Sequence, residues 1–408
     1  MTRFGDGCRI LAIAVAVFLP AGAFAQSTEP GAPPSTVRLR LGPLYVNPTI
    51  GLTGAGVDDN VFNEPDATAK SDYTATLSPA TDLWLRFGSS WINGTLKEDL
   101  IYYHTYASER SANGSVRVNW FIPLNRLTLN PGMSYTATRA RPGFEIDARA
   151  RRTEIDYNGS IELRIASKTF LGVRGDRRIT DFDQQARFLG TSLHDELNRT
   201  VTAAAITLRH QATPLTSLSF DVAREQDRFE FVPIRDSDST QIMGGVKFDP
   251  AALIKGAATF GYRDFQPLSG SVPSFRGTTL AVDISYIALG RTRFALTASR
   301  DVQYSFDVNQ PYYLQTGLTA SIGQQLFGPL DVVGRIGTQQ LDYRNRAGTV
   351  VVAADRVDHV RLYGVGLGYH FGRDTRIGFN VDHQTRTSPV EARQYQGFVY
   401  GFAVTYGS

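Results

Sequence analysis

The sequence predicts an all-β chain: a transmembrane, antiparallel, up-and-down β-barrel of about 18 strands (16–20). Three observations lead there. From residue 44 onward, apolar and polar residues alternate in one segment after another, which is the period of a strand and not of a helix. The alternating segments run to about ten residues or more, against the five or six usual in a sandwich, which is enough to cross hydrocarbon at a tilt. Short turns alternate with longer polar loops, as they do in membrane barrels.

At the N-terminus, Arg3 and Arg9 flank a short charged segment, Ile10 to Leu19 is apolar, and Ala23-Phe24-Ala25 precedes Gln26. A basic start, a short apolar run and small residues around a cleavage point predict a signal peptide over 1–25. The apolar run is too short for a membrane helix, which needs about 20 residues. Residues 26–43 (QSTEPGAPPSTVRLRLGP) are rich in Pro, Ser, Thr and Gly and predict a flexible periplasmic lead-in. The barrel is expected over 44–408. The only cysteine, Cys8, falls inside the signal, so the mature chain has neither a disulfide nor a thiol nucleophile. A formal net charge of +3 with no clustered basic face argues against a nucleic-acid partner.

The barrel strands each show one apolar face. Leu127, Leu129, Met133 and Tyr135 alternate with Thr128, Asn130, Ser134 and Thr136. Ile155, Tyr157, Ile161, Leu163 and Ile165 alternate with Asp156, Asn158, Glu162 and Arg164. Leu280, Val282, Ile284 and Tyr286 alternate with Thr279, Ala281, Asp283 and Ser285. Tyr363, Val365, Leu367, Tyr369 and Phe371 alternate with Gly364, Gly366, Gly368 and His370. In the last strand Phe398, Tyr400, Phe402, Val404 and Tyr406 form the apolar face, and Ala403 belongs to the other. Hydrocarbon offers no partner for a free backbone group, so such strands must close into a barrel.

The short connections include Phe87-Gly88-Ser89-Ser90, Ile122-Pro123-Leu124-Asn125, Thr213-Pro214-Leu215 and Phe327-Gly328-Pro329. The other set comprises 59–70, 104–112, 140–151, 183–197, 232–238, 266–275, 307–311, 344–358 and 386–394. Aromatics at the strand ends predict two girdles at the membrane interfaces. One is Phe121, Phe170, Phe248, Phe294, Phe327 and Phe371. The other is Tyr73, Tyr102, Phe182, Phe231, Phe265, Tyr304, Phe306 and Tyr343. Three Asn-Gly pairs, at 93, 113 and 158, are candidate hairpin turns, but the alternation continues through Asn158. Glu98 and Arg300 fall on apolar faces, where a bulge or a shifted register would account for them.

The inward face carries the candidate pore-lining residues. By alternation they include Glu162, Arg164, Arg174, Asp283, Arg293, Asp301, Asp331, Arg335, Arg361, Arg376 and Asp382. Both signs are present, so one reading is cross-strand pairing and the other a transverse field in a pore. A barrel of 16–18 strands encloses an aqueous channel. Loops 183–197 and 344–358 are long enough to fold into it.

Little points to catalysis. The six histidines, at 104, 194, 210, 359, 370 and 383, show no helical ligand pair, and no metal or cofactor is expected. Gly364-x-Gly366-x-Gly368 lies within a strand, whereas a phosphate cradle needs a following helix. Ser134 or Ser285 as a nucleophile would need a histidine and an aspartate brought by the fold.

Gly42-Pro43-Leu44-Tyr45-Val46-Asn47-Pro48, Gly54-Ala55-Gly56-Val57-Asp58-Asp59-Asn60-Val61-Phe62 and Lys70-Ser71-Asp72 resemble the opening hairpin of a family of β-barrel outer-membrane porins found beside exopolysaccharide gene clusters. Phe248-Asp249-Pro250 with Gly261-Tyr262-Arg263 is similar to that family's later hairpins. The resemblance implies the outer membrane of a Gram-negative bacterium, with membrane lipid and the barrel-insertion machinery as partners. Together these readings predict a porin-like channel for passive diffusion of small hydrophilic solutes. The alternatives are a barrel that secretes or anchors an exopolysaccharide, with glycans as partners, and an outer-membrane enzyme.

Overall fold

The computed structural model describes residues 31–34, 37–249, 252–372 and 374–407. The expected signal peptide lies outside these residues. The chain forms a closed antiparallel barrel of 18 strands. We number them in chain order. The first six are β1 (Leu44–Asp58), β2 (Asp72–Phe87), β3 (Ser90–Tyr103), β4 (Ser111–Leu124), β5 (Leu127–Ala140) and β6 (Ala150–Ala166). The next six are β7 (Thr169–Phe182), β8 (Arg199–Thr213), β9 (Thr216–Phe229), β10 (Ser237–Phe248), β11 (Ile254–Pro267) and β12 (Phe275–Ala288). The last six are β13 (Thr292–Tyr304), β14 (Tyr312–Gln325), β15 (Leu330–Arg344), β16 (Val357–Phe371), β17 (Thr375–Thr387) and β18 (Tyr395–Tyr406).

Each strand pairs with its sequence neighbours, and β18 returns to pair with β1, so no edge is left open to lipid. Closure is not perfectly regular. Ile50 faces Tyr406 and Leu52 faces Val404, then the register shifts and Ala55 faces Phe402. The shift is centred on Gly54, whose φ of 57° suits glycine. Gly56 sits against the backbone of Tyr400, where a Cβ would lie 2.0 Å from the carbonyl oxygen. The lead-in is ordered at its end: Leu39–Leu41 folds back on Leu44–Val46, and Arg38 lies over the Tyr406 ring.

Short turns close one end and nine longer loops the other, which is the outer end by the usual asymmetry of such barrels. The Ile122–Asn125 turn falls later than expected, at Asn125-Arg126, because Pro123 and Leu124 still pair with Thr128 and Leu127. The Asn-Gly pairs at 93, 113 and 158 all lie within strands and not in turns.

The alternation places Leu218, Phe220 and Val222, and likewise Phe398, Tyr400 and Phe402, on the outside. Glu98 and Arg300 also face outward, and no register shift accompanies either. The expected outer aromatic girdle is only partly formed. Tyr73 and Tyr102 face outward, but Phe182, Phe265, Phe306 and Tyr343 are buried inside the outer mouth, and Tyr304 packs with them. They turn inward because the loops supply an apolar core there. That core takes the place of the second sheet a sandwich would need.

Candidate functional site: the lumen and its outer mouth

The lumen wall is built from ion pairs that reach over an intervening strand. Arg335 on β15 donates to Asp382 on β17 at 2.8 Å, with β16 between them. Arg376 on β17 and Asp331 on β15 meet at 2.6 Å over the same strand, and His370 Nε2 lies 2.8 Å from Asp331. The strand beneath presents Gly364, Gly366 and Gly368 inward. A Cβ at Gly364 would stand 2.1 Å from Asp382 Oδ1, and one at Gly368 2.3 Å from Arg376 Nη2. The glycine run therefore has a local physical reason: it leaves a trough in which long side chains lie flat against the wall.

The opposite wall repeats the device. Arg209 on β8 reaches Glu162 on β6 at 2.5 Å, across the β7 strand where Gly172 faces inward. Arg263 on β11 spans two gaps at once. It meets Glu225 on β9 at 2.6 Å over Ser239 of β10, and Asp301 on β13 at 3.0 Å. Pairs skipping one strand bridge about 10 Å of sheet, a span that arginine's long stem and planar donor fork suit when the partner is a carboxylate.

The structure thus brings together six of the candidate residues: Glu162, Asp301, Asp331, Arg335, Arg376 and Asp382. Arg174, Asp283 and Arg293 lie on inward-facing positions, opposite Ala205, Ala257 and Gly323 respectively. Arg164 is at the inner mouth, where it donates to the Asn125 carbonyl at 3.3 Å. Arg361, expected in the lumen, faces outward. It shares the face of Tyr363 and Val365, which are 46% and 53% exposed on the outside, because the β16 alternation runs unbroken through it. Ala403 does face inward but is only 2% exposed, so it is wall packing and not open lumen.

At the outer end, loop 141–149 leaves β5, returns to β6, and crosses the mouth between them. Ser305 Oγ donates to Glu145 Oε1 at 2.6 Å and the Phe306 amide to Glu145 Oε2 at 3.1 Å. Arg386 of β17 donates to the Phe144 carbonyl at 2.8 Å, and Arg393 meets Asp147 at 2.9 Å. Arg141 donates to the Val61 carbonyl at 2.8 Å. Ile146 of this loop packs with Phe188, Leu193 and Leu197 of the 183–198 loop and with Phe306. Arg235 of the 230–236 loop meets Glu196 at 2.8 Å and donates to the Ser305 carbonyl.

Burial pushes the Glu145 carboxyl above its ordinary value against the pull of Ser305, Arg356 and Arg393. Burial also raises Glu196, and it lowers Arg235 and Arg393. Of the two loops long enough to enter the barrel, 183–197 contributes Phe188, Leu193 and Leu197 to this core, while 344–358 packs on the rim, where the Arg346 amide donates to the Asn309 carbonyl at 2.8 Å, and sends buried Arg356 and Asp358 toward Glu145 and Arg386. The central loop has nothing long or aromatic-rich to mark it. Arg386 is legible from its shared parity with Arg376 and Asp382; Glu145, in a loop, carries no such signal.

Ser134 lies opposite Asp156 and Arg117, and Ser285 opposite Lys255 and Ala295. No histidine stands beside either in register. His194 stacks on Phe231 and His383 on Phe398.

This architecture is shared with outer-membrane proteins of known structure. A BenF-like porin from Pseudomonas fluorescens Pf-5 superposes with a TM-score of 0.50 at 11% identity, covering 90% of this chain and 98% of that one. The outer membrane protein OpdK from Pseudomonas aeruginosa gives 0.46 at 10% identity, over 88% and 98%. OccAB4 from Acinetobacter baumannii gives 0.46 at 8% identity, over 88% and 97%. At 11% identity the likeness to the BenF-like porin speaks for the fold alone. No curated protein matches the sequence. The family described as "Putative beta-barrel porin 2" matches residues 33–406, nearly the whole barrel with its lead-in, and the chain belongs to that family of the bacterial outer membrane.

Proposed function

We propose that this protein is a passive channel that lets small hydrophilic solutes cross the outer membrane after export through a leader cleaved behind Ala25. The observation that carries the reading is the flattened charge on the wall. Arg335–Asp382, Arg376–Asp331 and Glu162–Arg209 lie along the sheet and not across the lumen. Eighteen strands enclose more space than side chains held this way can fill. Paired charges give a wetted lumen with a weak net field, suited to solutes of either sign. Diffusion needs no cofactor and no energy input, and the reading includes no catalysis.

Proteoliposomes swelling in sugars of increasing size test it. Swelling that slows with solute size supports a diffusion channel; no swelling with the smallest sugar, from vesicles shown to hold folded protein, contradicts it. The loop-crossed mouth is the one feature that favours a second reading, a barrel that guides or anchors an exopolysaccharide. Retention of a polysaccharide by vesicles that do not swell would select it.

A further inference from the structure

The outer surface carries a feature that solute passage does not use. A groove of about 590 Å³ runs along the lipid-facing side of β13 to β17. Phe294, Ile322, Ile336 and Tyr363 wall it, and Ala320 and Gly334 form part of its floor. The small floor residues make the groove: a leucine at either position would level it with its neighbours.

Directly beyond its outer end the same face turns polar. By register, Ile336 pairs with Tyr363, and one outward step further Thr338 pairs with Arg361, which pairs with Thr385. The next step holds Gln340 and His359, with Thr316 and Arg300 alongside on β14 and β13. Arg300 donates to Thr316 Oγ1 at 3.0 Å, and its Nε has no hydrogen-bond partner. Arg361 has no ion pair among the described residues. Elsewhere on the outer face several arginines do find acids: Arg224 and Arg228 share Asp238, and Arg276 takes Asp264. The groove is therefore capped by two outward arginines that have no acid partner among the described residues.

We infer that this groove holds one phosphorylated glycolipid of the outer leaflet. Its acyl chain lies along Ala320 and Gly334, and its phosphate sits at Arg361, while Arg300, three strands away on the same face, adds to the positive field at that end. Two features fix the chemistry. The groove is apolar at membrane depth, so its occupant has a hydrocarbon chain. The unmatched charge stands at the outer end of the chain and not at the inner one, so the headgroup is anionic and in the leaflet facing outward. A guanidinium is the side chain best matched to a phosphate at such a boundary.

Native mass spectrometry of the full-length protein in mild detergent tests the inference, with bisphosphorylated lipid A, its dephosphorylated form and phosphatidylethanolamine as probes. The wild type should bind one lipid A in preference to the other two. Arg361→Gln should weaken lipid A binding about fivefold, the order expected for one basic group against an anionic lipid, and leave the dephosphorylated form unaffected. Gly334→Leu should weaken all binding at the groove. A Cβ there meets only Ile322 Cγ2, at 3.5 Å, so the variant has room to fold. A heat-shifted gel band checks that each variant is folded. Unchanged lipid A binding in folded Arg361→Gln overturns the inference, as does equal binding of phosphatidylethanolamine. A change in oligomeric state with lipid binding intact also overturns it, and would assign the groove to a second copy of the chain.

Discussion

Arg335 and Asp382 are joined at 2.8 Å although a whole strand separates their backbones, and Gly364 is the residue that lets them meet. Replacing Gly364 with valine puts a branched side chain where Asp382 Oδ1 and Arg335 Nε now lie, 2.1 and 2.9 Å from the new Cβ. The pair must part or lift into the lumen. Loss of a charged hydrogen bond of this kind costs about 1.5–3 kcal/mol. Urea unfolding of the valine variant in detergent should show that loss, whereas glycine to valine at Gly114, where a Cβ meets nothing within 4 Å, should cost far less.

The facing of the arginines sets ion selectivity. Arg335→Gln with Arg376→Gln leaves Asp382 and Asp331 uncompensated on the lumen wall and should move the reversal potential in a salt gradient toward cation preference. Arg361→Gln, on the outside, should leave it unchanged. An equal shift from both changes would mean that the β16 facing is wrong.

The final strand tests the membrane assignment. Phe402 is 60% exposed on the outer face, and arginine there should cost about 2–4 kcal/mol if it lies near the bilayer midplane. Tyr400→Arg should behave similarly. Folding yield into vesicles measures both. Ala403→Arg should also fail, for a different reason: the site is packed against the wall, and a long side chain has no room. Ala403→Ser is the inward change that should fold normally.

Glu145 should make the mouth sensitive to pH. Its carboxyl titrates above the ordinary carboxylate range where it is buried, so the proton binds the closed loop more tightly than the free one. The stability this contributes is present at acid pH, below the ordinary value, and is lost as pH rises through the raised one. The charged groups around it include Arg235, Arg356, Arg386, Arg393, Asp147 and Asp358. Conductance should therefore fall on acidification across the range above the ordinary carboxylate value, and Glu145→Gln should flatten the dependence at the low-conductance level. A pH response unaltered by Glu145→Gln would move the sensor elsewhere.

Much of this fold is legible in the sequence because strand facing is a period of two, and a lipid face tolerates few exceptions. Leu280 to Tyr286 and Phe398 to Tyr406 show it, and the strand number follows from the turns. The reading fails where that rule stops. The charge of Arg361 suggests the lumen, yet the alternation of its own strand puts it with Tyr363, and parity outweighs polarity. Phe182, Phe265 and Tyr343 suit a girdle by position, yet aromatic residues near a strand end pack equally well under a loop. The skip-strand pairs depend on which glycine stands opposite which carboxylate, a register that no single strand reveals. Loop 141–149 crosses the mouth through contacts with residues far away in the chain, such as Ser305 and Arg386.

The most direct test is single-channel recording in a planar bilayer, comparing the wild type with a variant in which residues 142–148 are replaced by a short Gly-Ser linker. An open, loop-narrowed pore predicts discrete conductance steps for the wild type and larger steps for the variant, since the loop spans the outer mouth and the strand wall below it is left intact. Silence from both proteins, at high load and with the folded state shown by a heat-shifted gel band, would contradict a channel.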